Sequence, residues 1–272
     1  MRTALLTFAL VFAATITAHP SWGIVVNSRG EIYYSDLITV WKIDRSGHAG
    51  VARAGVEGRH VHELAIDAND NVYGPDYDGT TTRVWKMTPS GAITYINTAG
   101  VWRDRNGNSY SVDENEHLRA QTLILKNGAR FAGGRFGHAD GAGANARFGH
   151  IVALTVADAI YVTDDPSVRR ISFDGVVTTI ARNLDRPRSP NAIDFGSLFG
   201  LSVDRNGDVY VADFRNRRVL KIAKGVVSTI ATSPPPWSPT GVAVGPHGEI
   251  YALEIEFRPP STWLPPRVRR VR

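Results

Sequence analysis

From residue 23 onward the chain alternates apolar and polar positions in short runs, separated by Gly, Asn, Asp and Pro. Period-two alternation of that length between turn residues predicts short, half-buried β-strands. No long stretch keeps a 3.6-residue apolar period between helix caps, so no helix is expected. The pattern also repeats. Each unit opens with an apolar run, in most cases ending in Asp or Asn, followed by a tight turn. A strand with a central Tyr and an acid three residues later comes next. A third strand, in most units carrying a basic residue, then leads through a Gly turn to a Thr/Val-rich strand. Gly200-Leu201-Ser202-Val203-Asp204, Gly207, Tyr210, Asp213, Val219-Leu220-Lys221-Ile222 and Gly225 show it most plainly.

The marker residues Tyr33, Tyr73, Tyr110, Tyr161, Tyr210 and Tyr251 recur at intervals of 37 to 51 residues. A four-stranded unit of about 40 residues cannot bury both of its faces alone, and stacking such sheets radially solves this. The expected fold is therefore all-β, a six-bladed β-propeller over residues 19–272. The sixth unit reaches the end of the chain at its third strand, which leaves three ways to close that blade. It has three strands, or the N-terminus pairs with it, or the natural chain runs further. The acid at Tyr+3 occurs in all six units, as Asp36, Asp76, Asp113, Asp164, Asp213 and Glu254. A catalytic group is not needed in every blade, whereas a carboxylate at a strand end holds the backbone N–H groups of the next loop. Asp36, Asp113, Asp164 and Asp213 are therefore set aside as catalytic candidates.

Residues 1–18 read differently. Arg2, the uncharged apolar run Ala4–Ala14 and the small residues up to Ala18 follow the order of a secretory signal peptide. Export to the periplasm or beyond a bacterial cell is the expected destination. The absence of cysteine removes disulfides and Cys-ligated zinc from consideration. The 272 residues carry 31 Lys+Arg against 26 Asp+Glu, and removing the leader takes Arg2 and leaves a net charge of +4. Much of the base sits in the repeated third strands. The Arg267–Arg272 run falls on such a strand, so it reads as a solvated face and not as a nucleic-acid surface. No later segment is apolar for long enough to span a bilayer.

Tyr210-Val211-Ala212-Asp213-Phe214-Arg215-Asn216-Arg217-Arg218-Val219 resembles the second and third strands of an NHL repeat. Gly137-His138-Ala139-Asp140-Gly141-Ala142-Gly143-Ala144-Asn145-Ala146-Arg147-Phe148 resembles that family's inter-blade connector. The chain is thus similar to NHL-repeat propellers, and more distantly to the regucalcin/gluconolactonase and amidating-lyase propellers. The resemblance implies the six-bladed fold, which hosts lactonases, lyases and binding modules alike. The lactonase-like relatives hold a divalent metal with a Glu at the start of blade one. Here that neighbourhood reads His19-Pro20-Ser21-Trp22-Gly23.

In a propeller, the loops entering the innermost strands and those leaving the second strands meet around the channel. Aligning the units puts Pro20, His60, Asn97, His150, Ser197 and Ser238 at one equivalent place. Arg59-His60-Val61-His62-Glu63 is the densest ionisable cluster of the chain. His60 and His150 are candidate metal ligands, with zinc or calcium as the cofactor such a site admits. Glu63 is a candidate catalytic base or further ligand. The same histidines can instead close the channel by bonding loop carbonyls. His62, Asp76, Tyr77, Trp22, Trp237, Glu254 and Trp263 are candidate ligand-binding residues, the three tryptophans as an aromatic wall. Trp41 and Trp85 share one repeat position and are expected to be structural. Two functions remain open. One is a binding module for a small molecule, glycan or protein. The other is a metal-dependent hydrolase, lactonase or lyase using the channel-face histidines. Protein expressed with its leader in a bacterial host should be recovered from the periplasm or medium beginning at His19. Intact-mass measurement checks this, and a chain that retains Arg2 contradicts it.

Overall fold

The computed structural model describes residues 21–98, 100–114, 121–184, 197–258, 262–263 and 265–272. Its strands fall into six antiparallel sheets, one per sequence unit. Blade one is Ile24–Val26, Ile32–Ser35, Val40–Ile43 and Ala49–Arg53. Blade two is Ala65–Ile66, Val72–Tyr77, Thr82–Met87 and Ile93–Ile96. Blade three is Trp102–Arg103, Ser109–Glu114, Gln121–Lys126 and Ala129–Arg135. Blade four is His150–Val156, Ile160–Asp165, Ser167–Ile171 and Val176–Ala181, and the short strand Gly141–Ala142 from the connector adds to its outer edge. Blade five is Leu198–Val203, Val209–Asp213, Arg218–Ala223 and Val226–Thr232. Blade six has three strands in its main ladder, Trp237–Val244, Ile250–Arg258 and Arg267–Arg270, and Thr262–Trp263 pairs with the far end of the second. The first strand of each blade packs against that of the next, and blade six's first strand against blade one's, so the ring closes around these inner strands.

The repeated residues explain why each unit folds alike. The Asp that ends the inner strand accepts backbone N–H groups across the turn and the hydroxyl of the marker tyrosine. Asp67 does so with Asn69, Asn71 and Tyr73, Asp104 with Asn106, Asn108 and Tyr110, and Asp204 with Asn206, Asp208 and Tyr210. This side-chain capture of turn N–H groups fixes the hairpin and its register. Between blades the core is apolar. Tyr110, Ile124, Ala132, Phe148, Leu154, Ile160 and Ile171, for example, form one buried cluster spanning blades three and four. Trp85 is fully buried, with the Arg53 guanidinium 4.7 Å above its ring. Gly74 sits against that indole, where a Cβ would collide with it. The only helical piece among the described residues is the three-residue 3-10 turn Gly143–Asn145. No helix among them is long and apolar enough to cross a membrane.

On the third strand of blade four, Arg169 is 1% exposed and bonds the Asp164 carboxylate at 2.7 Å, Asp140 at 2.8 Å and the Ala139 carbonyl at 2.9 Å. It ties the inter-blade connector to the sheet. Burial pushes the Asp164 carboxyl above its ordinary range, and the neighbouring His138 and Arg169 charges only partly offset this. Removing one member of such a buried pair strands the other. Arg169→Met should therefore destabilise the fold by about 3–5 kcal/mol in denaturant unfolding, and a loss under about 1 kcal/mol would contradict the role given to this contact.

Candidate functional site

The segment from Arg59 to Glu63 enters blade two under restraint from three sides. His60 exchanges backbone hydrogen bonds with Tyr77, at 2.8 and 3.0 Å. The Val61 N–H donates to the Leu37 carbonyl at 2.6 Å, and the His62 carbonyl accepts from the Trp22 N–H at 2.9 Å. The Val61 carbonyl accepts the Ser35 hydroxyl at 2.7 Å. Leu37 holds this clamp with a φ of 85°, a left-handed conformation unusual for a branched side chain. Gly23 in blade one passes so close that a Cβ there would lie 3.0 Å from the Glu63 carbonyl carbon. These contacts aim the Glu63 side chain along the ring toward blade three, where the Trp102 indole N–H donates to it at 3.0 Å.

Glu63 and Trp102 line a cavity of roughly 690 Å³. Its wall includes Trp22, Pro75 and Tyr77, the end of blade three's second strand at Ser111, Val112 and Asp113, and the first strand of blade four at Ile151, Val152, Ala153 and Leu154. The cavity thus opens where inner strands begin and second strands end, the face expected from the repeat. Behind it His62 makes edge contacts with Trp22 and Tyr77 at 5.7 and 5.9 Å, and the His60 ring stacks on His62 at 5.7 Å. Burial pushes the Glu63 carboxyl above its ordinary range, and the Trp102 N–H opposes this only in part.

The Tyr+3 acids behave alike in five blades. Asp36 accepts the Ile38 and Thr39 N–H groups and the Trp41 indole N–H at 2.7 Å. Asp76 takes Arg53 and the Tyr95 hydroxyl, both at 2.6 Å. Asp164 takes Arg169 at 2.7 Å, and Asp213 takes Arg218 at 2.7 Å together with Asn216. Glu254 takes Ser233, Arg267 and Arg269 at 2.6 to 2.9 Å. Burial alone would raise the Glu254 pKa, but Arg269, Ser233 and Arg267 outweigh it and hold the carboxyl below its ordinary range. Asp113 departs from the pattern. It is exposed, lines the cavity, and has no ion-pair or hydrogen-bond partner among the described residues. The third strand explains why. The residue opposite Asp213 is Arg218, whereas the residue opposite Asp113 is Leu123. The sequence carries this signal in Leu123-Ile124-Leu125, a third strand without a basic residue at those positions, but the sixfold recurrence of the acid concealed it.

The structure brings Trp22, Tyr77 and Glu63 of the expected residues to one cavity, with His62 packed behind the two rings. It does not bring the others there. Asp76 is buried and held by Arg53 and Tyr95, and Glu254 is buried and held by two arginines. The Trp237 ring is covered by the Arg267 guanidinium at 4.0 Å. These three belong to the scaffold's own polar packing. The Trp263 side chain lies outside the described residues. Arg267 and Arg269 turn inward to Glu254, so the C-terminal basic strand is less solvated than its charge suggests. His60 and His150 do occupy equivalent register positions, opposite Tyr77 and Asp165. Equivalence by register still leaves them on blades two and four with blade three between. Among the described residues no three His, Asp or Glu side chains group closely enough to hold a metal ion, so the donor set for zinc or calcium is not assembled there.

No family model and no curated protein matches the chain in sequence. Solved structures match it in shape. A Bacteroides thetaiotaomicron protein of unknown function is 18% identical with a TM-score of 0.60, covering 88% of this chain and 68% of that one. A gluconolactonase from Xanthomonas campestris is 13% identical with a TM-score of 0.58, covering 92% and 87%. Virginiamycin B lyase from Staphylococcus aureus is 12% identical with a TM-score of 0.54, covering 90% and 83%. At these identities the likeness establishes the six-bladed propeller and nothing about activity.

A carboxyl whose pKa rises on folding weakens the fold as pH climbs. The unfolded chain releases that proton first, so stability falls from the ordinary carboxylate range up through the raised pKa. Glu63→Gln keeps an acceptor for Trp102 and removes the titration. The variant's melting temperature should match the parent's near about pH 4 and exceed it at about pH 7.5. A gap that is equal at both pH values would contradict the reading of Glu63 as a carboxyl kept at a cost to stability.

Proposed function

We propose that this chain is an exported binding propeller that takes a small molecule in the cavity between blades two, three and four. The observation that carries this reading is the lining of that cavity. Three rings (Trp22, Tyr77 and Trp102) and two carboxylates (Glu63 and Asp113) converge on a space of roughly 690 Å³, within the range of small-molecule sites. In the other five blades the equivalent carboxylate is consumed by the scaffold, so this end of blade three is where the repeat leaves polar capacity for a ligand. The leader-like residues 1–18 support export, and the resemblance of the second, third and connector strands supports an NHL-type ancestry.

The buried Glu63 carboxyl at the cavity wall supports a second reading, because burial pushes it above its ordinary range, the direction that suits a general acid. A gluconolactonase and a lyase are among the proteins that share the fold. The two readings separate on one preparation. A small-molecule library is screened by thermal shift, and each hit is followed by mass spectrometry for conversion. The binding reading expects a ligand that raises the melting temperature and returns unchanged. Val112→Trp, which puts an indole into the cavity beside Asp113, should abolish the shift while the unliganded melting temperature moves by only a few degrees. A shift that survives Val112→Trp would place the ligand elsewhere and overturn the proposal.

A further inference from the structure

Elsewhere in this propeller, several rings and most of the acids at Tyr+3 carry their own cations. Lys42 lies over Tyr33, Arg103 over Tyr73, Lys126 over Tyr110, Lys221 over Tyr210, Arg169 over Phe148 and Arg267 over Trp237, at 4.0 to 6.0 Å from the ring centres. Four of the six marker tyrosines are among them. At Tyr+3, four of the six acids take an arginine and a fifth takes an indole N–H. The cavity breaks both habits at once. No cation lies over Trp22, Tyr77 or Trp102 among the described residues, and Asp113 has no partner among them. Among the described residues no Lys or Arg lines the cavity wall, although the chain as a whole carries 31 Lys+Arg against 26 Asp+Glu. Arg59, which enters the same segment as Glu63, is engaged with Asp78 at 2.9 Å and with the Asp76 carbonyl. The site is built as the repeat builds its cation-binding corners, with the cation left out.

We propose that the ligand is an organic cation, an amine or quaternary ammonium head, seated between the carboxylates of Glu63 and Asp113 and the faces of Trp22, Tyr77 and Trp102. This rests on the small-molecule reading of the same cavity. Aromatic faces attract a cation through the ring quadrupole, most strongly where water is excluded; the Asp113 carboxylate supplies the opposite charge, and a cation seated beside Glu63 favours the charged form that burial alone disfavours. Calcium would want six to eight oxygen ligands, and an aromatic wall supplies almost none of them. The apolar floor of Ile151 to Leu154 suits the alkyl part of such a ligand.

The experiment titrates the full chain with choline and benzyltrimethylammonium, and with 3,3-dimethylbutanol as the uncharged counterpart of choline, reading tryptophan fluorescence and calorimetry. The ammonium probes should quench fluorescence and bind at least about tenfold more tightly than the alcohol. Asp113→Asn should weaken the ammonium probes about tenfold and leave the alcohol unchanged. Asp36→Asn, the same repeat position in blade one and outside the cavity, should lower the melting temperature without changing ammonium affinity. Equal binding of alcohol and ammonium, lost in Val112→Trp, would overturn the cationic class while sparing the small-molecule reading. No binding of any probe, or displacement of the ammonium by calcium or zinc at stoichiometric amounts, would overturn the proposal itself.

Discussion

The fold turns on how it disposes of one carboxylate per blade. Each second strand ends in an acid near the mouth of the channel, and an acid there is stable only if its charge is met. Blades one, two, four, five and six meet it with loop N–H groups, an indole, a tyrosine or arginines from the third strand or the preceding blade. The bond does two things at once. It neutralises the strand end, and it stitches the loop or the neighbouring sheet to it, as Arg53 of blade one does by reaching Asp76 of blade two. Stacked sheets without disulfides depend on such stitches, because neighbouring blades otherwise touch mainly through apolar faces that do not fix an angle.

Blade three omits the stitch, and the candidate site follows from that omission. Leu123 stands where blade five has Arg218, Asp113 is left facing a cavity, and the neighbouring inner strands bring Glu63 and Trp102 to its wall. Glu63 is itself a carboxyl placed where burial disfavours its charge, with one indole N–H as compensation. A scaffold optimised for stability alone would have replaced it. A cavity lined by such groups marks the place where the repeat gives way to function.

The sequence made the scaffold legible because it is written six times. Strand positions, the Asp-to-Tyr turn latch and the buried Trp85 all follow from residues that recur at fixed offsets. The face of the site was also legible, since Trp22, Glu63 and Tyr77 sit where inner strands begin and second strands end. What recurrence hid was the exception. Asp113 reads as one of six equal acids until its partner is sought across the sheet and found to be leucine. Recurrence also misled in the other direction. Glu254 and Trp237 are taken by arginines whose inward turn no spacing rule reveals.

The most direct test puts the missing cation back. Leu123→Arg gives blade three the residue that blade five carries opposite its own acid. The parent protein should bind benzyltrimethylammonium, and the variant should remain folded and lose at least about tenfold in affinity as the introduced guanidinium occupies the Asp113 carboxylate. Undiminished ammonium binding by a folded Leu123→Arg variant would contradict the claim that the unpaired acid of blade three is what makes this site.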